Sequence, residues 1–262
     1  MGNFIKLENF SKLLPYVDMF KEGLIVTVLL AFFTVIIGFV LALVLALMRM
    51  SNFHPFGFLG LTKDGHLRDG GFLYHLSRFN PVSFLATAYV EIIRSTPVVV
   101  QVFIIYYGIF STLFELPSIR LFGFIRFERF FPGVVALAMN SGAYLCEIIR
   151  SGLQSVEGGQ TEAARSLGLS QLQNMRFIIL PQALKNILPA IANEFVTIIK
   201  ESAITYTIGV QDIMATVNTI RGSAFIIMEP LLVATGLYFC LCFPLSKLIA
   251  YIERRMSRGD RR

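Results

Sequence analysis

Residues 24–48 read LIVTVLLAFFTVIIGFVLALVLALM, twenty-five positions without a charge. A helix of that length is about 37 Å long, enough to cross a hydrocarbon core of roughly 30 Å. The run also exceeds the apolar part of a cleavable leader, roughly 7–15 residues, so it is expected to stay as a spanning helix. Its neighbours follow the same logic. A second span is expected over 90–114, built on PVVVQVFIIYYGIFSTLF at 97–114 with a less apolar lead-in from Val82. A third covers 130–149, a fourth and weakest 187–210, and a fifth 231–252. Hydrocarbon offers no water to backbone groups, so each run must satisfy its own hydrogen bonds as a helix. The ten-residue alternation of a barrel strand is missing. The expected fold class is an all-α integral membrane bundle of five helices, one transmembrane domain over 1–262.

Composition agrees. The chain is 55% hydrophobic and only 15% charged, where a soluble domain carries about 25% charge. Mean hydropathy is +0.67. There is no Trp, so Tyr and the 25 Phe must form any interfacial belt. The net charge of +6 would raise nucleic acid on a soluble chain, but here Lys and Arg flank apolar runs, the pattern that orients a membrane protein. Cys240 and Cys242 lie inside an apolar run and read as packing residues.

Five spans put the termini on opposite sides. The side shared with the C-terminus holds Arg49, Lys63, Arg68, Arg78, Arg150, Arg165, Arg176, Lys185, Lys247, Arg254, Arg255, Arg258, Arg261 and Arg262. The other side holds half as many: Lys6, Lys12, Lys21, Arg120, Arg126, Arg129 and Arg221. The bias places the C-terminus in the cytoplasm and the N-terminus outside. The connector 51–81, with TKDGHLRDGG at 62–71, is a cytoplasmic turn region to which no function is assigned. His54, His66 and His75 have no ligand spacing.

Between the third and fourth spans, residues 157–184 read EGGQTEAARSLGLSQLQNMRFIILPQAL. Thr161 is expected to cap a helix with Glu162 in its first turn. Gly168 should stop it, and Ser170 should cap a second helix bearing Leu172, Met175 and Ile179. Pro181 falls near the start of the next span, where its missing N–H costs little. The small residues Ala163, Ala164 and Gly168 leave room for another chain to approach; the plainer reading is a surface loop held against its own bundle.

This stretch resembles the EAA motif of ATP-binding-cassette (ABC) importer permeases. Glu162-Ala163-Ala164 is followed after three residues by Gly168, then after nine by Ile178, then by Leu180-Pro181. Tyr89 to Pro97 (YVEIIRSTP), with Val100-Gln101 and Tyr106-Tyr107-Gly108, resembles the second span of the polar amino-acid (histidine/glutamine-type) permeases, Ser95 replacing a usual Gly. Asn140-Ser141-Gly142-Ala143-Tyr144 with Glu147 and Arg150 is similar to their third, and Lys200-Glu201-Ser202 with Ile208-Gly209 to their fourth. The long connector 51–81 departs from the pattern.

The resemblance implies a type I importer permease of a bacterial inner membrane. The segment 157–181 would be its coupling helix, with Glu162, Ala163, Ala164, Gly168, Leu180 and Pro181 at the ATPase contact. The implied partners are a second permease of the same or a similar sequence, two ABC ATPase subunits and an extracytoplasmic amino-acid-binding protein. Cofactors are implied only for the ATPase, which would hold ATP and Mg; this chain lacks a Walker A sequence.

Polar groups in spans face a bundle interior or a wet path. Asn140, Tyr144 and Glu147 share one helical face, either lining a path or bonding between helices. Glu91 and Arg94 read as a structural ion pair, and Glu147 as a partner of Arg150 or Arg94. A zwitterionic substrate needs an acceptor for its ammonium, from Glu201 or Glu91, and a donor for its carboxylate, from Lys200 or Arg94. The alternatives are an ion-coupled carrier, which usually shows internal repeats not seen here, and a membrane enzyme, for which no set of nucleophile, base or metal ligands converges.

Overall fold

The computed structural model describes residues 7–60 and 72–257. The expectations for Lys6, 62–71, His66 and the C-terminal Arg258, Arg261 and Arg262 therefore lie outside the described residues. Helix α1 spans Val17–Arg49. Its 33 residues make a rod about 50 Å long, so it tilts or projects beyond the hydrocarbon. One stripe is buried: Thr27, Leu30, Ala31, Thr34, Gly38, Ala42 and Ala46. The opposite side exposes Phe32, Ile36, Val40, Val44 and Leu47.

Helix α2 spans Pro81–Arg94, with the Asn80 side chain accepting from the Ser83 N–H at its start. Helix α3 runs over 98–113, with a π-helical stretch at Ile104–Phe110. The expected single span 90–114 is instead two helices bent by 109°. Pro97 supplies the reason. It lacks an N–H, and its ring disfavours helical backbone at Thr96.

A two-stranded ribbon, β1 (Arg120–Leu121) and β2 (Ile125–Arg126), leads into α4, Phe127–Gln154. Helix α4 is the hub of the bundle, with Leu137, Ala138, Ala143, Leu145 and Cys146 at most 2% exposed. It packs along α1 through small residues. A Cβ at Gly38 would lie 3.3 Å from the Ala138 carbonyl oxygen. Close backbone approach of this kind is how helices associate where lipid removes the hydrophobic drive.

The helices that follow are α5 (Gly158–Ser166), α6 (Gln171–Asn174), α7 (Leu180–Glu201), α8 (Ile213–Ala224) and α9 (Met228–Ser257). Short helices also form at Leu7–Ser11 and, within the connector expected as a turn region, at Phe72–Ser77. Helix α6 continues into α7 through a π-helical stretch, Met175–Ile179. The expected fourth span does not run to 210 as one helix. It ends at Glu201 and tightens into a 3-10 stretch, Ser202–Ile208, closed by Gly209 at φ 85°. Helix α8 is absent from the sequence reading. Asp212 caps it, its side chain accepting from the Ala215 N–H.

On length and apolarity, three described helices can cross a membrane, α1, α4 and α9, or four with the bent pair. The expected five is not reached on that criterion, because α7 mixes apolar residues with Lys185, Asn186, Asn193, Glu194 and Lys200.

Candidate functional site

Two structures stand out at one end of the bundle, where α1 and α4 finish and α7 begins. The first is a helical hairpin, α5 and α6. Helix α5 starts at Gly158, with Glu157 as its N-cap residue and no capping side chain. The expected Thr161 cap is thus corrected: Thr161 lies inside the helix, and its hydroxyl accepts from Asn174 Nδ2 at 3.3 Å. The stop at Gly168 is a Schellman turn, with the Gly168 N–H on Arg165 O and the Leu169 N–H on Ala164 O. Gly168 has φ 78°, the left-handed backbone that Gly adopts at least cost. Ser170 caps α6 through a reciprocal box with Gln173.

The hairpin buries Ala164 to 1% exposure, while Glu162, Ala163, Gly168 and Pro181 are exposed and Leu180 is 40% exposed. Ala164 therefore serves packing within the hairpin, and Ala163 faces outward. Large apolar side chains are also exposed here: Leu167 at 82%, Leu172 at 77% and Phe177 at 63%. Apolar side chains presented together on a polar protrusion mark a protein contact.

The second structure is an ionic cluster. Glu147 of α4 accepts from Arg150 Nε at 2.9 and 3.0 Å and from Arg49 Nη1 at 3.0 Å. Arg94 of α2 approaches the same carboxylate at 3.9 Å. One carboxylate thus gathers guanidinium groups from α1, α2 and α4. The expected Glu91–Arg94 pair is corrected: Arg94 turns to Glu147 and lies over the Tyr144 ring, 5.4 Å from its centroid. Among the described residues Glu91 makes no ion pair, and it is exposed. The sequence reading anticipated Arg150 and Arg94 at Glu147, but missed Arg49, ninety-eight positions away.

Deeper in the bundle, Asn140 is 5% exposed and donates to Gln101 Oε1 at 2.9 Å. Tyr144 is 38% exposed, Lys200 is exposed and Glu201 is half-buried. Among the described residues no hydrogen bond or ion pair joins these four side chains to one another. Gln101, which no sequence argument assigned a role, carries the bend between α2 and α3. Its Nε2 donates to Ile93 O at 2.7 Å, Thr96 O at 3.1 Å and Thr96 Oγ1 at 2.8 Å. Helix-terminal carbonyls left unpaired at a break need such a donor.

His54 turns back on Asn52 O, and among the described residues no group of three His, Cys, Asp or Glu could hold a metal.

A bundle of long apolar helices with an exposed helical hairpin at one end is the arrangement of a membrane-embedded subunit that offers a surface to another protein. The chain belongs to the binding-protein-dependent transport system inner membrane component family, which matches residues 70–258. It is 34% identical to the arginine transport system permease protein ArtQ of Bacillus subtilis, over 96% of this chain and 99% of that one. It is 36% identical to the nopaline transport system permease protein NocM of Agrobacterium fabrum, over 94% and 88%. A crystal structure of an amino acid ABC transporter with histidines superposes with TM-score 0.76 at 37% identity, covering 94% of this chain and 98% of that one. The fold is that of a type I ABC importer permease.

Proposed function

We propose that the chain forms, with a second permease of the same or a similar sequence, the path of an ATP-driven importer of polar amino acids. The exposed hairpin carries this reading. Leu167, Leu172 and Phe177 offer an apolar face outside the bundle, and Glu162, Ala163 and Pro181 lie exposed beside it. ATP and Mg are held by two ABC ATPase subunits docked on that face, and an extracytoplasmic binding protein delivers substrate at the other end. The hairpin end faces the cytoplasm with the C-terminus, and the N-terminus lies outside. The single domain uses the five segments 24–48, 90–114, 130–149, 187–210 and 231–252 to cross the membrane, the second of them bent.

ATPase closure moves the hairpins and biases the bundle between two access states. A ligand biases such a pair only through its different affinities for them. Tyr144, Glu91 and Lys200 are exposed, so a path at the permease–permease face can reach them. Glu201 stands half-buried behind, and Asn140 holds the wall through Gln101. Asn193 and Lys200 lie exposed on one face of α7, a polar surface that lipid tails would not solvate.

Copurification with the ATPase, and uptake that stops when the ATPase is inactivated, test the reading. An ion-coupled carrier would purify alone and respond to an ion gradient.

A further inference from the structure

Between the hairpin and the bundle lies a cavity of about 410 Å³, within the roughly 300–1,000 Å³ range of small-molecule sites. Buried Ala46, Cys146 and Ile179 form its apolar floor. Arg49 and Arg150 line one side. Both share the Glu147 carboxylate with Arg94, so three guanidinium groups face one carboxylate and positive charge is left in excess. Asn174 lines the other side. It is 5% exposed, its Nδ2 donates to Thr161, and its Oδ1 has no partner among the described residues. A buried acceptor without a donor is costly, and a ligand supplying one would relieve it.

We propose that this cavity binds a free amino acid, its carboxylate on Arg49 and Arg150 and its ammonium on Asn174 Oδ1. A chloride or sulfate ion, which has no donor, would satisfy the guanidinium groups and leave Asn174 unanswered. A zwitterion satisfies both ends, and the apolar floor accepts an aliphatic stem. The ligand would bridge the spans α1 and α4 to the hairpin. An occupied cavity therefore braces the hairpin against the bundle and opposes the movement that transport requires. Because the cavity is at the hairpin end, the delivered amino acid would slow its own import. The site deepens the transport reading and rests on it for this consequence.

The complete transporter is reconstituted in proteoliposomes with ATP inside. Uptake of labelled L-arginine and L-glutamine is followed with and without millimolar unlabelled amino acid trapped in the lumen. Trapped amino acid should slow the initial rate several-fold, and the trapped α-amide, which lacks the carboxylate, should not. Asn174→Leu removes the acceptor and Val156→Phe fills the cavity from its lining; each should abolish the inhibition. Equal rates with and without trapped amino acid, or undiminished inhibition in both variants, would overturn the site. Absence of ATP-dependent uptake into empty vesicles would instead sink the transport reading. The cavity is then judged by equilibrium binding of the labelled amino acids to the nanodisc-held complex, abolished by Asn174→Leu if the site exists and unchanged if it does not.

Discussion

Asn140 Nδ2 stands 2.9 Å from Gln101 Oε1, and through that one bond the third hydrophobic segment of the chain fixes a bend in the second. The Gln101 amide nitrogen is already spent on the carbonyls of Ile93 and Thr96 at the break. Both side chains are buried, so removing either leaves the other with an unanswered polar group. Gln101→Leu and Asn140→Leu should each lower stability by about 1–3 kcal/mol. The double variant should cost less than the sum, because the Asn140–Gln101 bond is then lost once and neither amide is left facing an apolar replacement; the lost donor to Ile93 O and Thr96 O counts only with Gln101. Thermal unfolding of the purified protein, read as a double-mutant cycle, checks this. Additive losses would mean that the two amides act separately.

Glu147 holds three helices through opposite charge. Glu147→Gln keeps the shape and removes the charge, leaving Arg49 with a side chain only 19% exposed. The partners are partly solvated, so the expected loss is about 2 kcal/mol, below that of a fully buried pair. Arg94→Gln should cost less than Arg49→Gln, since its side chain is 40% exposed and its contact is longer. Thermal midpoints in detergent, compared at low and high salt, rank the three.

Glycines divide by what surrounds them. A Cβ at Gly23 would meet the backbone oxygen of Asp212 at 2.8 Å, so α1 and the start of α8 must part. A Cβ at Gly142 would meet the flexible side chain of Leu41 at the same distance. Gly23→Ala should therefore destabilise more than Gly142→Ala. On the hairpin, Gly159 is helical with open space around it, and Gly159→Ala should gain about 0.5–1 kcal/mol. Gly168→Ala at φ 78° should lose about 1–2 kcal/mol. Unfolding midpoints of the four variants set the order.

These relationships show where residue patterns suffice. Apolar runs long enough to span lipid named α1, α4 and α9, since apolarity and length are local properties. The hairpin was legible through Gly168 and Ser170, whose turn and cap chemistry needs only near neighbours. Its true start at Gly158 was not, because no side chain caps Glu157. The 109° bend was half-visible in Pro97, but the sequence could not say that Gln101 would secure it. Helix α8 was passed over because its reason is tertiary: its first turn rests on Gly23, and Thr216 Oγ1 donates to Met19 O. Arg49 at Glu147 is likewise a contact between distant segments. Asn140 shows the limit of a polar-face argument, which allowed a path wall and an interhelical tie alike.

The hairpin surface gives the sharpest test of the transport reading, because stability and assembly separate there. Leu167 and Leu172 are more than three-quarters exposed, so an Asp at either position loses little packing within the chain. Each single substitution should leave the thermal midpoint nearly unchanged, as surface changes usually lie within about 0.5 kcal/mol. In a permease–ATPase contact the same side chain becomes buried, and a carboxylate there is left without water or a partner. Copurification of the ATPase with Leu172→Asp should fall at least tenfold, and uptake with it. Ala164→Asp should fail differently. Ala164 is 1% exposed inside the hairpin, so its variant should lose stability before any partner is added. If Leu167→Asp and Leu172→Asp both retain the ATPase, that subunit docks elsewhere and the hairpin serves another contact.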